Sequence, residues 1–557
     1  MTYPRWARLD YGGVLAGLVF VALSMTPSML PRPVYYQGVV SGLSFGVGYL
    51  LGAAAWKLVT RAARRPHPWL TRYGWVVITV IWLVAFGVLL SYATRWQNGV
   101  RTTVGLEELK GYEGWVLGLM TAAVAACALW AGRCVGHLHA ALVGRARSLL
   151  HTDATRVQRA AAGLAASAVL GFGMLLVLVA LVGTMVIFLD SRWEARNAAM
   201  DPAVARPTSP LRSGGPGSLV AWEDVGSKGR AVVASGPDAA RITAITGAPA
   251  IEPIRIYVGL KSESTYEQRA ALAVRELERV RAEDRAVIVI PGLTGTGWLE
   301  AQAIDSLEYL HGGDTAMVAA QYSISPSWVS AVFHPDQSRD GTRALYEAVH
   351  AWWSALPEDR RPQLVAYGLS LGAQALQSVF PNTQALIGGL DGAVFAGSPS
   401  GTALDESIRA QRDAGSPVVA PAVSRIPQVR YFSSSVGVAR PDAGWSTPRI
   451  AYLEHGNDPV VWVNWSIFYR KPEWLSAGQR SASISPDMIY IPLVTGLQTA
   501  ADLAMAETVP DDSGHKYGDA TFLAWVEITG RSGLDDPALQ RIRAILATYD
   551  VQAPISQ

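Results

Sequence analysis

Three residues of the kinds that together carry out acyl transfer lie in the second half of this 557-residue chain: Ser370, Asp458 and His515. Ser370 is the centre of Gly368-Leu369-Ser370-Leu371-Gly372, a G-x-S-x-G pattern within "VAYGLSLGAQA". Its physical use is a sharp turn from a strand into a helix, which lifts a serine hydroxyl clear of the backbone, with glycines where a Cβ would collide. A serine hydroxyl is a poor nucleophile without a base. Downstream of Ser370 the histidines are His455 and His515. His515, in "DDSGHKYGD", is the candidate base, and Asp458, in "LEHGNDPVV", is the candidate acid that orients its imidazole and stabilises the imidazolium. His455 is too near Asp458 in sequence to serve easily as the base, and is read as shaping its loop or contacting substrate. Asp391, Asp511 and Asp512 are the alternative acids, and Asp391 is placed before its strand, at the wrong end of a sheet. A developing oxyanion needs two aimed N–H donors. Leu371 supplies one. The other is expected from the loop after the third strand, where "PGLTGTG" at 291–297 offers Leu293 or Thr294.

These groups meet only if the intervening elements bring them to one edge. "IRIYVGL" (254–260), "AVIVI" (286–290), "TAMVAAQY" (315–322), "PQLVAYG" ending at Gly368, and 449–453 read as short apolar strands. Helical patterns lie at 265–284, about 338–355 and 371–380. Ser370 therefore falls on a strand–turn–helix. The alternation predicts a mostly parallel sheet covered by helices. A second match, "GLSFG" at Gly42–Gly46, has no strand before it and lies in an apolar run. It is read as small residues for helix packing, with Ser44 able to bond a carbonyl of its own helix.

Half of the chain is hydrophobic, 17% is charged and the mean hydropathy is +0.20. That balance predicts a membrane part joined to a soluble part. Apolar runs at about 12–30, 38–56, 74–93, 115–132 and 165–189 predict about five spanning helices. Four later runs argue against a cleaved signal peptide for the first. Arg5 and Arg8, then Lys57, Arg61, Arg64, Arg65 and Arg72, then Arg133, Arg145, Arg147, Arg156 and Arg159 lie on one side of these runs. The positive-inside rule makes that side the cytoplasm and puts the chain after about residue 190 outside. The expected domains are a transmembrane helical domain at 1–195, a Pro/Gly/Ser-rich linker at 196–218 and a catalytic domain at 219–557. A net charge of +2 argues against a nucleic-acid partner. Cys127 and Cys134 offer no disulfide framework to the soluble half, and no Cys/His cluster has zinc spacing, so no metal or cofactor is expected.

"YVGLKSESTYEQRAALAVRELER", "VIPGLTGTGWLE", "YGLSLGA", "LDGAVFAGSP" and "LEHGNDPVVW" resemble an actinobacterial membrane-anchored α/β-hydrolase family. The resemblance implies an N-terminal all-α membrane bundle of about five spans followed by an α/β-hydrolase domain, and maps a triad onto Ser370, Asp458 and His515. The expected function is a serine hydrolase of the bacterial plasma membrane. Its N-terminus would be cytoplasmic and its catalytic domain extracytoplasmic, acting on lipid or envelope glycolipid esters in contact with membrane lipid. The same acyl-enzyme would also serve an acyltransferase. A different class is a catalytically silent scaffold or lipid-transport accessory protein. Trp462, Trp465, Phe468, Tyr469 and Trp474 form either a lipid-facing lip or ordinary packing.

Overall fold

The computed structural model describes residues 9–62, 74–111, 113–149, 155–439 and 444–549. Arg5, Arg8, Arg64, Arg65 and Arg72 lie outside the described residues. The chain forms two compact units. One gathers the residues up to Leu189 with Ile467–Lys471 and Ser485–Asp502; the other runs from Asp190 to Ser466 with Pro472–Ile484 and the residues from Leu503 onward.

In the first unit all five apolar runs are helical: α1 (Tyr11–Ser24), α2 (Val34–Ala62), α3 (Gly74–Thr103), α4 (Gly114–Ser148) and α5 (Arg156–Ala198), the last continuing into the second unit. Four of them, α2 to α5, contain stretches long and apolar enough to cross a membrane. The run expected to extend to residue 30 stops as a helix at Ser24, because Pro27, Pro31 and Pro33 cannot continue it. With 14 residues, α1 is short of the roughly 20 that a bilayer core requires, so the count of long spans is four. Gly42 of the second G-x-S-x-G match lies against α4, where an added Cβ would sit 2.6 Å from Val124 Cβ. Ser44 is fully buried in the middle of α2. The late helix Val494–Asp502 belongs to this unit and closes a buried polar cluster. Arg32 Nε donates to Asp502 Oδ1 at 2.7 Å and Gln498 Nε2 donates to the Thr26 carbonyl at 2.8 Å.

The second unit is built on a seven-stranded sheet: β1 (Ile254–Val258), β2 (Val287–Gly292), β3 (Thr315–Ala320), β4 (Gln363–Leu369), β5 (Gly392–Ala396), β6 (Val429–Phe432) and β7 (Arg449–Leu453). The order is β1-β3-β2-β4-β5-β7-β6 and every pairing is parallel. The strands are apolar throughout because both faces are covered. On one face lie α6 (Tyr266–Arg279), opened by a Thr265/Gln268 capping box, then α8 (Pro335–Ser354) and α9 (Leu371–Gln377). On the other lie α7 (Ala301–Leu310) and α12 (Gly518–Thr529), with α10 (Ala403–Arg409) and α11 (Pro459–Trp462) in the loops at the strand ends. The chain reverses its direction of growth at β2 and β4, which pair Gly292 with Gly368. Their C-terminal ends frame the crevice where ligands of such sheets bind. The "PGLTGTG" loop follows the second strand of this sheet rather than the third; what matters is its place beside the end of β4.

Part of the stretch read as a linker lies along the edge strand: Ser213 N–H donates to the Arg255 carbonyl at 3.0 Å, and Arg255 N–H to the Leu211 carbonyl at 3.0 Å. The Arg255 guanidinium is fully buried between Asp305 and Glu308 of α7, with Nε 2.8 Å from Glu308 Oε1. Replacing it by Leu leaves two carboxylates without their cation in the core. Arg255→Leu is expected to destabilise the second unit by about 3–5 kcal/mol, read as a lowered thermal midpoint of the detergent-solubilised protein.

Candidate active site

Ser370 stands between β4 and α9 with φ +55° and ψ −125°, a backbone state that a non-glycine residue adopts only where the surroundings enforce it. The enforcement is backbone on backbone. A Cβ at residue 372 would run into the Gly292 carbonyl, and one at residue 368 would sit 2.5 Å from Ala373 Cα. Ser370 N–H donates to the Ala396 carbonyl of β5 at 3.0 Å, which ties the turn to the neighbouring strand. The serine keeps partial exposure while Leu369 and Leu371 on either side are buried.

Asp458 and His515 are brought together from loops 57 residues apart: His515 Nδ1 lies 2.6 Å from Asp458 Oδ2, a hydrogen bond in which the ring nitrogen donates. Both side chains are buried. The two loops are laced by groups that the sequence reading did not single out. Asn457 Nδ2 donates to Ser513 Oγ at 3.1 Å, Gly514 N–H donates to Asn457 Oδ1 at 3.1 Å, and His455 Nδ1 donates to the Gly514 carbonyl at 2.8 Å. His455 therefore shapes this loop, with Asp512 3.5 Å from its Nε2. Asp391 is turned to the other end of the sheet, where it accepts from Leu364 N–H at 2.8 Å.

Both carboxylate oxygens of Asp458 are engaged. Oδ1 accepts from Val460 N–H at 2.8 Å and caps α11; Oδ2 accepts from His515 and also from the Tyr517 hydroxyl at 2.6 Å. Tyr517 was the missed member of the cluster. Its only sequence signal was its place two residues after His515. Burial, with the Asp458 carboxylate beside it, pushes its hydroxyl well above the ordinary range, so it remains a donor. Burial by itself would lower the His515 imidazole, but Asp458, followed by Glu507 and Glu300, outweighs it and holds the ring above its ordinary value.

The His515 ring packs against Gly397, where a Cβ would fall 2.7 Å from Nδ1; Gly397 follows Ala396, the acceptor for Ser370 N–H. His515 Nε2 is buried and has no hydrogen-bond partner among the described residues. It is the nitrogen that a reacting serine would address. Of the proposed oxyanion donors, Thr294 N–H is spent inside its own loop on the Trp298 carbonyl at 3.1 Å. No loop or turn hydrogen bond among the described residues engages Leu293 or Leu371 N–H, and the Leu293 carbonyl is pinned by the Tyr322 hydroxyl at 3.1 Å. Among the described residues, Leu293 and Leu371 N–H are thus without a loop or turn acceptor, unlike Thr294 N–H. Of the aromatic cluster, Trp462 and Trp474 are buried and Phe468 is half-buried, whereas Trp465 is 84% exposed and Tyr469 75%. Among the described residues no group of His, Cys, Asp and Glu is placed to hold a metal ion.

Comparison with family models matches residues 254–542 to the alpha/beta-hydrolase family and residues 25–237 to a model described as the alpha/beta-hydrolase family N-terminus. No curated protein matches the chain, and no solved structure does.

Two substitutions test this geometry. Gly372→Ala forces a methyl onto the Gly292 carbonyl and is expected to cost about 1–3 kcal/mol and to disturb the Ser370 turn, measured as loss of thermal stability together with loss of serine reactivity. Tyr517→Phe removes one donor from a buried carboxylate. It is expected to slow covalent modification of Ser370 about ten-fold, measured as the second-order rate with a fluorophosphonate.

Proposed function

The chain belongs to the alpha/beta-hydrolase family, and from that premise we propose that it is a membrane-anchored serine hydrolase cleaving carboxylic esters. The observation that carries this reading is the strained Ser370 turn, together with a buried histidine whose Nδ1 is held by Asp458 and whose Nε2 is free. Ser370 Oγ would attack the ester carbonyl as its proton passes to His515 Nε2. Leu371 and Leu293 N–H would stabilise the oxyanion. The imidazolium would protonate the departing alcohol, and water would release the acyl group by the same route in reverse. Asp458 keeps the proton on Nδ1 so that Nε2 is the basic nitrogen.

Lipid or glycolipid esters are the proposed substrates. Four helices long enough to cross a membrane and the exposed Trp465 and Tyr469 support that choice. The proposed home is a bacterial plasma membrane. If α2 to α5 each cross, alternation would put the arginine-rich connections α2–α3 and α4–α5 on one side and the chain after α5 on the other. With those arginines in the cytoplasm, the catalytic unit is outside whether or not the short α1 also crosses. A cytoplasmic N-terminus requires that it does.

Fluorophosphonate labelling of the solubilised protein tests the reading. Wild type and Ser44→Ala are expected to label, Ser370→Ala not at all, and Asp458→Asn and His515→Ala roughly a thousand-fold or more slowly. A wild type that fails to label beside an active control hydrolase would overturn the proposal in favour of a silent scaffold. Because the base must be neutral and His515 is held above its ordinary value, the labelling rate is expected to fall with pH through a midpoint above 6.5.

A further inference from the structure

Glu300 closes the loop that carries Leu293 and stands at the N-cap position of α7, yet its side chain makes no cap hydrogen bond. The carboxyl is turned inward and buried, and accepts a hydrogen bond from the hydroxyl of Tyr367 on β4, the strand that ends in the Ser370 turn. Its other oxygen, Oε1, is buried with no hydrogen-bond partner among the described residues. Asp305 and Glu308, buried on the same helix, share Arg255. Among the described residues no arginine is paired with Glu300. The cation among the charges acting most strongly on it is His515.

The packing explains why. The first turn of α7 lies against the start of α12, with the Gln302 side-chain oxygen where a Cβ of Gly518 would be and Trp525 Nε1 donating to the Ala303 carbonyl at 3.0 Å. The segment His515-Lys516-Tyr517 leads directly into that contact. Burial pushes the Glu300 carboxyl up to about 7, while the Tyr367 hydrogen bond and His515 pull it down and Asp511 and Glu507 push it up. It therefore changes charge in the range where an imidazole base works. A buried carboxyl with one neutral donor and an orphaned oxygen is a poor packing element.

We propose that Glu300, held by Tyr367, is a positioning residue that acts on His515 independently of Asp458 and favours its protonated form as Ser370 gives up its proton. The inference rests on the serine-hydrolase reading above. Ionised Glu300 adds a negative charge near the ring and raises its proton affinity; protonated Glu300 does not. The other charged and titratable groups facing His515 are Asp458, Glu507 and Tyr517, with Lys516 acting on Glu507 and His455 stacked on Tyr517.

The test is the pH profile of fluorophosphonate labelling for wild type, Glu300→Gln, Tyr367→Phe and the double variant, each with its thermal midpoint. Glu300→Gln is expected to move the acid limb to lower pH by about 0.5–1 unit, a shift worth roughly 1 kcal/mol of charge interaction. Its plateau rate is expected to fall several-fold. Tyr367→Phe removes the hydrogen bond that favours the carboxylate, so its limb should move the same way by less, and the double variant should match Glu300→Gln alone. A lowered thermal midpoint with an unmoved acid limb would overturn the proposal, as would additive shifts in the double variant. If Glu300→Gln does not fold, Tyr367→Phe carries the test by itself, and an unmoved limb there overturns it. Absence of labelling in wild type removes the hydrolase reading, and this inference with it, whereas wild-type labelling with unmoved limbs removes only this one.

Discussion

Two backbones touch where β2 meets the helix that follows the serine turn. The Gly292 carbonyl occupies the space that a side chain at residue 372 would need, and Gly368 meets the backbone of Ala373 in the same way. That contact requires β2 and β4 to be neighbours, and so places the reversal of the sheet between them. It brings the end of β2 against the first residues of α9. It also forces Ser370 into its left-handed conformation, a strain of about 1–3 kcal/mol. The surrounding parallel sheet, buried on both faces, is what sustains such a strain. The Ser370 turn is thus a consequence of one steric fit.

The buried charges of the molecule divide by how fully they are answered. Arg255 meets two carboxylates, and Arg32 meets Asp502 with Gln498 and Gln37 around it. These sets hold elements together. Asp458 accepts three hydrogen bonds, and two of its three donors belong to the segment that carries His515. Among the described residues His515 Nε2 and Glu300 Oε1 are buried without a hydrogen-bond partner, as are Arg269 Nε, Glu283 Oε2 and Arg430 Nε elsewhere. An unanswered polar atom in a dry interior is costly.

The elements themselves were largely legible. "AVIVI" and "PQLVAYG" are apolar without interruption because both faces are covered, and they became β2 and β4 with boundaries moved by a residue or two. The helical pattern at 265–284 became α6, Tyr266–Arg279, opened by the Thr265/Gln268 capping box. The first apolar run was less legible: hydropathy averages over Pro27 and Pro31, while the helix must stop before them. The spatial order of strands was not legible at all, since any parallel order joins the same strands through helices of similar length. Tyr517 and Glu300 were invisible for a related reason. A tyrosine in a polar loop and a glutamate before a helix look like surface residues, and only their neighbours make them otherwise.

By itself the sequence determined the local chemistry of this protein. Glycine spacing set a turn with a serine at its apex, residue types set which side chains can take or hold a proton, and apolar run lengths set which helices suit a bilayer. Tertiary structure alone decided the pairings. It put His515 on Asp458 across 57 residues, spent Thr294 N–H on Trp298 and left Leu293 free, gave Asp458 a tyrosine donor, and turned Glu300 away from its own helix. The physical reason is that turn geometry and hydropathy are properties of neighbours along the chain. Hydrogen-bond partners and burial depend on what the fold brings alongside.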